Sequence, residues 1–130
     1  MSAYKASAPV MAIAQERGRG EGAVRHNYGR IRPEGFRKAQ RAMGLASKFQ
    51  LPVVCLIDTP GPDPSLDSEE RGLGHAIANT IALLSDLPVP VLATVIGEGG
   101  AEGAMAFAVA DRIIMLENAV LEPITPERAA

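Results

Sequence analysis

The residues best placed to do chemistry lie in one glycine-rich stretch. Val95-Ile96-Gly97-Glu98-Gly99-Gly100-Ala101-Glu102-Gly103-Ala104-Met105-Ala106 runs from an apolar, β-branched segment through glycines into small residues. That order predicts a strand, a tight turn and a helix N-terminus in about a dozen residues. Glycine lets backbone approach backbone or ligand closely, and the first N–H groups of a helix lack partners inside it. The bend can therefore serve close packing alone, or it can present amide donors to a negative oxygen. A second loop, Asp58-Thr59-Pro60-Gly61-Pro62-Asp63-Pro64, leaves the apolar run Val53–Ile57. Side-chain chemistry is sparse by comparison. His26 and His75 have no metal-ligand spacing, and no Gly-x-Ser-x-Gly elbow is present for a Ser-His-Asp mechanism.

Two enzyme classes would use such a bend. In a dinucleotide binder, Gly97-x-Gly99-x-x-x-Gly103 would meet a pyrophosphate and Glu117 would bind a ribose. The third glycine falls one place late, however, and Glu98 and Glu102 would bring two carboxylates toward the phosphates. That repulsion costs on the order of kilocalories in a partly dry site. In an oxyanion-hole enzyme, the amides face an enolate or thioester oxygen and no side-chain nucleophile is needed.

The bulk properties suit one α/β domain. The chain has 130 residues, is 47% hydrophobic and carries a net charge of −2, with only 4% aromatics and no Trp. Neither a basic surface nor stacking aromatics favour nucleic acid. The single Cys55 cannot form an internal disulfide or a four-cysteine zinc site, and inside an apolar run it reads as buried and inert. Met1–Pro9 lacks a signal-peptide layout, and no apolar run approaches the roughly 18 residues of a membrane span. A cytoplasmic setting is expected.

The elements that must hold these loops can be read in order. Val10–Gln15 is a short strand, followed by the irregular, glycine- and charge-rich Arg17–Gly22, read as a solvated loop rather than an anion contact. Pro33 opens a helix with Phe36, Ala39, Met43 and Ala46 on its buried face and Arg37, Lys38, Arg41 and Lys48 mostly off it. Val53–Ile57 shows no polar alternation and is expected to be buried on both faces. Asp67 or Ser68 caps one helix reaching Asp86, with Leu73, Ile77, Ile81 and Leu84 inward and His75 a surface or packing residue. Val91–Ile96 is a second buried strand, and the helix after the glycine bend runs to about Ala110. Arg112–Leu116 and Val120–Ile124 complete the strands. Ligands of open α/β layers sit at strand carboxyl ends, where both marked loops fall.

Five collinear motifs then resemble one family. They are Asn27-Tyr28-Gly29 with Pro33-Glu34-Gly35-Phe36-Arg37-Lys38-Ala39, Leu51-Pro52-Val53, Ile57-Asp58-Thr59-Pro60-Gly61, Glu69-Glu70-Arg71-Gly72, and Val95 through Gly100. Together they are similar to the carboxyltransferase alpha subunit of bacterial and plastid acetyl-CoA carboxylase, from about Arg17 to Glu127. The resemblance implies a crotonase-like fold of ββα units wound into a superhelix, here incomplete. Residues 1–32 would form an N-terminal strand and Gly/Arg-rich segment, and 33–130 the carboxyltransferase core, within one domain. It also implies transfer of carboxylate from carboxybiotin, on a biotin carboxyl carrier protein, to acetyl-CoA, giving malonyl-CoA for fatty acid synthesis. The implied partner is a carboxyltransferase beta subunit bearing the acyl-CoA side and a zinc ribbon, so this chain would hold no metal and would work in an oligomer. Gly99, Gly100, Glu102 and Gly103 would stabilise the oxyanion, and Asp58, Thr59, Pro60, Gly61 and Glu98 would border the biotin site.

The departures bear on activity. Ala101-Glu102 stands where the family has Ser-Gly, Arg30-Ile31-Arg32 replaces Met-Pro-His, and Arg128 replaces a glycine. Pro62-Asp63-Pro64-Ser65 lacks the second glycine of the Thr-Pro-Gly loop. The chain stops at Ala130, before a family member's usual end, which would leave apolar faces for a partner or for self-association. A non-catalytic scaffold of the same fold and a biotin-independent acyl-CoA decarboxylase therefore stand as alternatives.

Overall fold

A computed structural model describes residues 7–124 of the chain. Arg128, one of the departures noted above, lies outside the described residues. The elements follow in the order β1 (Met11–Ala14), α1 (Glu21–Arg25), a 3-10 turn (Asn27–Gly29), α2 (Pro33–Phe49), β2 (Val53–Thr59) and α3 (Leu66–Glu70). Then come α4 (Leu73–Ser85), β3 (Val91–Gly100), α5 (Ala101–Met105), β4 (Arg112–Met115) and β5 (Val120–Glu122). The sheet is parallel, with order β1-β2-β3-β4, and β5 pairs with the far end of β3.

Two helices cover one face of this sheet. Phe36, Ala39, Met43 and Ala46 of α2, with Leu73, Ala76 and Leu84 of α4, pack on Val53, Cys55 and Ile57 and on Val91, Ala93 and Val95. The helices are also joined by Gln40 Nε2, which donates to Ala76 O at 2.9 Å and lies 3.0 Å from Thr80 Oγ1. Pro33 occupies the first turn of α2, where its missing N–H costs nothing. Gln50 in the left-handed region (φ 54) closes the helix.

Several expectations are corrected. β2 is not buried on both faces: its burial alternates, with Val54, Leu56 and Asp58 only half-buried. β4 is exposed along its whole length. The sequence could not show this, because Val, Leu and Ile suit a half-covered sheet as well as a fully covered one. The helix expected over Ser68–Asp86 breaks in two at Gly72, whose left-handed backbone (φ 81) ends one segment and caps the next. Its inward stripe is Leu73, Ala76, Thr80 and Leu84, whereas Ile81 is exposed and Ile77 half-buried. Ser65, not Asp67 or Ser68, caps α3 by accepting from the Ser68 N–H at 3.2 Å. Part of the Arg17–Gly22 stretch and its sequel is helical, at Glu21–Arg25.

Candidate active site at the carboxyl ends of two strands

The glycine bend is more regular than its composition predicts. β3 continues to Gly100, because Glu98, Gly99 and Gly100 pair with Val120, Leu121 and Glu122. Only α5, ending at Met105 rather than near Ala110, follows. Toward β2 the ladder slips. Ile57 faces Val95 and Thr59 faces Gly99, so β3 advances four residues while β2 advances two. The slip frees the Glu98 N–H from β2, and it donates to Asp58 Oδ1 at 3.1 Å.

The glycines serve close approach between main chains. A Cβ on Gly100 would fall on Pro60 O and lie 2.5 Å from Pro60 C; one on Gly103 would lie 2.8 Å from Gly61 C. A Cβ on Gly97 would meet Asp58 Oδ1 at 2.5 Å. The space beside Gly100 and Gly103 is thus filled by the Thr59-Pro60-Gly61 loop, not left for a pyrophosphate. This, with so short a helix and Glu117 exposed beyond β4, removes the dinucleotide reading. Gly61 has φ 137, accessible essentially to glycine. At the first position of α5, Ala101 has φ 47, a left-handed conformation that is strained for a residue with a Cβ.

The second loop is held from below. Thr59 is fully buried; its hydroxyl donates to Gly29 O at 2.6 Å and accepts from the Gly61 N–H at 3.0 Å. The Gly61 amide is therefore engaged within its own loop, and Thr59 acts as a strut. Ile31 N–H donates to Gly61 O at 3.1 Å, so the Asn27-Tyr28-Gly29 motif supports the same loop. Farther along, the buried Asp63 accepts from Ser65 and Ser68 hydroxyls, each at 2.7 Å. Burial acts to raise this carboxyl, but hydrogen bonds from Ser68, Ser65 and Asn27, with the Arg32 charge, outweigh it and hold it below the usual aspartate range. Cys55 is buried in the core, which pushes its thiol up to about 11; it is a neutral packing group.

Of the residues expected at the site, the structure brings together Asp58 with Glu98, and Pro60 and Gly61 with Gly100 and Gly103. Gly99, Gly100 and Gly103 are buried, whereas the Glu102 side chain is exposed. Two participants were missed. Gln15 accepts from the Asp58 N–H and donates to Gly103 O, both at 3.1 Å, clamping β2 to α5. Arg17, read from sequence as part of a solvated loop, reaches Glu98 Oε2 at 2.6 Å and stands 3.6 Å from Asp58 Oδ1. The available signal was electrostatic: two carboxylates at one bend call for a cation. His75 bonds Asn79 on the surface. Among the described residues no cluster of His, Cys, Asp and Glu could hold a metal, and no helix is long and apolar enough to cross a membrane.

A cavity of about 480 Å³ lies between β1, the Arg25–Arg32 segment and α2, and no residue of the bend lines it. Around the bend apolar side chains are exposed beside Glu102: Ile96 is 41% exposed, Met105 46%, Val120 47% and Leu121 37%.

A parallel sheet backed by helices on one face is shared with solved transcarboxylase and carboxylase structures of the crotonase fold. A transcarboxylase 12S structure superposes with a TM-score of 0.74 at 23% identity, over 79% of this chain and 21% of that one. A single-chain, multi-domain long-chain acyl-CoA carboxylase gives 0.64 at 30% identity, over 76% of this chain and 10% of that one. More specifically, the profile of the acetyl co-enzyme A carboxylase carboxyltransferase-like family matches residues 1–130, and the chain belongs to that family. It is 52% identical over 122 residues to the acetyl-coenzyme A carboxylase carboxyl transferase subunit alpha of Rhodospirillum centenum, covering 93% of this chain and 38% of the relative. The Acinetobacter baumannii subunit is 50% identical over 123 residues, covering 94% of this chain and 45% of the relative. The chain thus spans about two fifths of the length of these relatives.

Proposed function

We propose that this chain supplies the biotin-side half of an acetyl-CoA carboxylase carboxyltransferase site, for transfer of carboxylate from carboxybiotin to acetyl-CoA to give malonyl-CoA. Carboxybiotin, delivered on its carrier protein, provides the carboxylate. The residues of this chain provide shape and main-chain donors. Gly99, Gly100, Glu102 and Gly103 direct the donors of the bend, while Asp58, Thr59, Pro60, Gly61 and Glu98 form its border. The observation carrying this reading is the interlock of Gly100 and Gly103 with Pro60 and Gly61. It fixes two bends at neighbouring strand ends against each other, so the donors of the β3 bend need no rearrangement when charge develops.

The apolar surface around the bend supports a site completed by another chain, and the implied partner is the carboxyltransferase beta subunit. Patches of this kind mark interaction surfaces. A soluble, cytoplasmic complex engaged in fatty acid synthesis follows from the same reading.

The test is reconstitution with a beta subunit and a carboxylated biotin carrier, measuring malonyl-CoA formed from acetyl-CoA. Formation above that of the beta subunit alone is expected; none overturns the reading. One observation favours a scaffold without turnover, namely that a glutamate, Glu102, stands in the bend itself. A Glu102→Gly variant separates the two, because relief of an anion-repelling charge raises transfer in an impaired site and leaves a competent one unchanged.

A further inference from the structure

We propose that Arg17 is a positioning residue for carboxyl transfer, acting as the counter-cation that keeps Asp58 and Glu98 from opposing negative charge at the glycine bend. The inference rests on the function proposed above. Both carboxylates belong to the bend by geometry: Asp58 Oδ1 accepts from the Glu98 N–H at 3.1 Å. An anion developing beside them would meet two negative charges. Arg17 Nη1 answers both, at 2.6 Å from Glu98 Oε2 and 3.6 Å from Asp58 Oδ1.

The guanidinium is aimed rather than merely attracted. Its aliphatic stem passes under Gly29, where an added Cβ would lie 2.6 Å from Arg17 Cγ, and Gly29 itself has φ 81. Two residues earlier, Gln15 ties Asp58 N–H to Gly103 O. The segment from Gln15 to Arg17 therefore touches the end of β2, the end of β3 and α5 at once. Both contacts come from the single Nη1, so the positive charge rather than a forked donor is what the two carboxylates use.

The experiment uses the chain assembled with a carboxyltransferase beta subunit and a carboxylated carrier. Arg17→Met, which keeps most of the stem and loses the charge, is expected to lower kcat at least tenfold with the acetyl-CoA KM within twofold. Arg17→Lys should recover most of that loss. In a Glu98→Gln background, Arg17→Met should cost less than threefold, because one of the carboxylates needing a cation is gone. If Arg17→Met fails to assemble, Arg17→Gln takes its place with the same expectation. Parental kcat in the charge-deleted variant overturns the proposal, as does an equal loss in both backgrounds, which an Arg17 acting independently of Glu98 would give. A parent complex with no transfer overturns this inference together with the function beneath it, whereas a working parent with an indifferent Arg17 overturns this inference alone.

Discussion

Gly100→Ala isolates the contact on which the site depends. The added carbon would fall on Pro60 O and lie 2.5 Å from Pro60 C and 3.0 Å from Pro60 Cα. All three obstacles are main chain, so no rotamer can move aside; relief requires β3 and the Pro60 loop to separate by several tenths of an ångström. Thr59 resists on one side, through Gly29 and Gly61, and the pairing of Gly100 with Glu122 resists on the other. Overpacking typically costs 1–3 kcal/mol, and a clash between two anchored backbones belongs at the upper end, about 3 kcal/mol. For a domain of this size that lowers the melting midpoint on the order of 10 °C. Gly44→Ala is the control. Gly44 sits exposed in α2 with nothing within 4 Å of an added Cβ, so it should stabilise by roughly 0.5–1 kcal/mol. Urea denaturation of both variants, compared at equal m, reads the difference. A Gly100→Ala variant within about 1 kcal/mol of the parent would refute the claim that these glycines exist for backbone contact.

Other outcomes follow from the same geometry. Ala101→Gly removes a Cβ from a backbone at φ 47 and should stabilise the chain by about 1 kcal/mol, seen as a higher urea midpoint. Phe36 is fully buried and stacked on Phe107 at 5.8 Å, so Phe36→Ala should cost roughly 3–5 kcal/mol in the same assay. Because the folded state holds Asp63 below its ordinary value, its stabilising contribution is complete above the unfolded pKa of about 3.9 and is lost as pH falls below it. Ser68→Ala should therefore flatten the acid limb of a stability-versus-pH curve. The Cys55 thiol, raised to about 11, should stay unreactive toward a thiol reagent at pH 8 until denaturant is added.

Local chemistry decided much of this chain in advance. Pro33 and the stripe Phe36, Ala39, Met43, Ala46 specify α2 to its first residue, because Pro fixes φ and 3.6-residue periodicity marks one apolar face. The runs beginning at Val53 and Val91 were recognisable as strands, and the order of motifs pointed to the family. What required tertiary contacts was everything set by a neighbour. Whether β2 has one covered face or two depends on what packs over Val54 and Leu56, which no periodicity encodes. Gly72 divides a helix that its apolar spacing continues straight through. The fate of Glu98–Gly100 was settled by β5, about twenty residues away in sequence, which pairs with them and draws them into the ladder. Gln15 and Arg17 joined the site only because the parallel sheet sets the carboxyl end of β1 beside that of β2. Residue type and spacing govern φ, ψ and burial tendency along a segment, but which donor meets which acceptor across segments is a property of the assembled sheet.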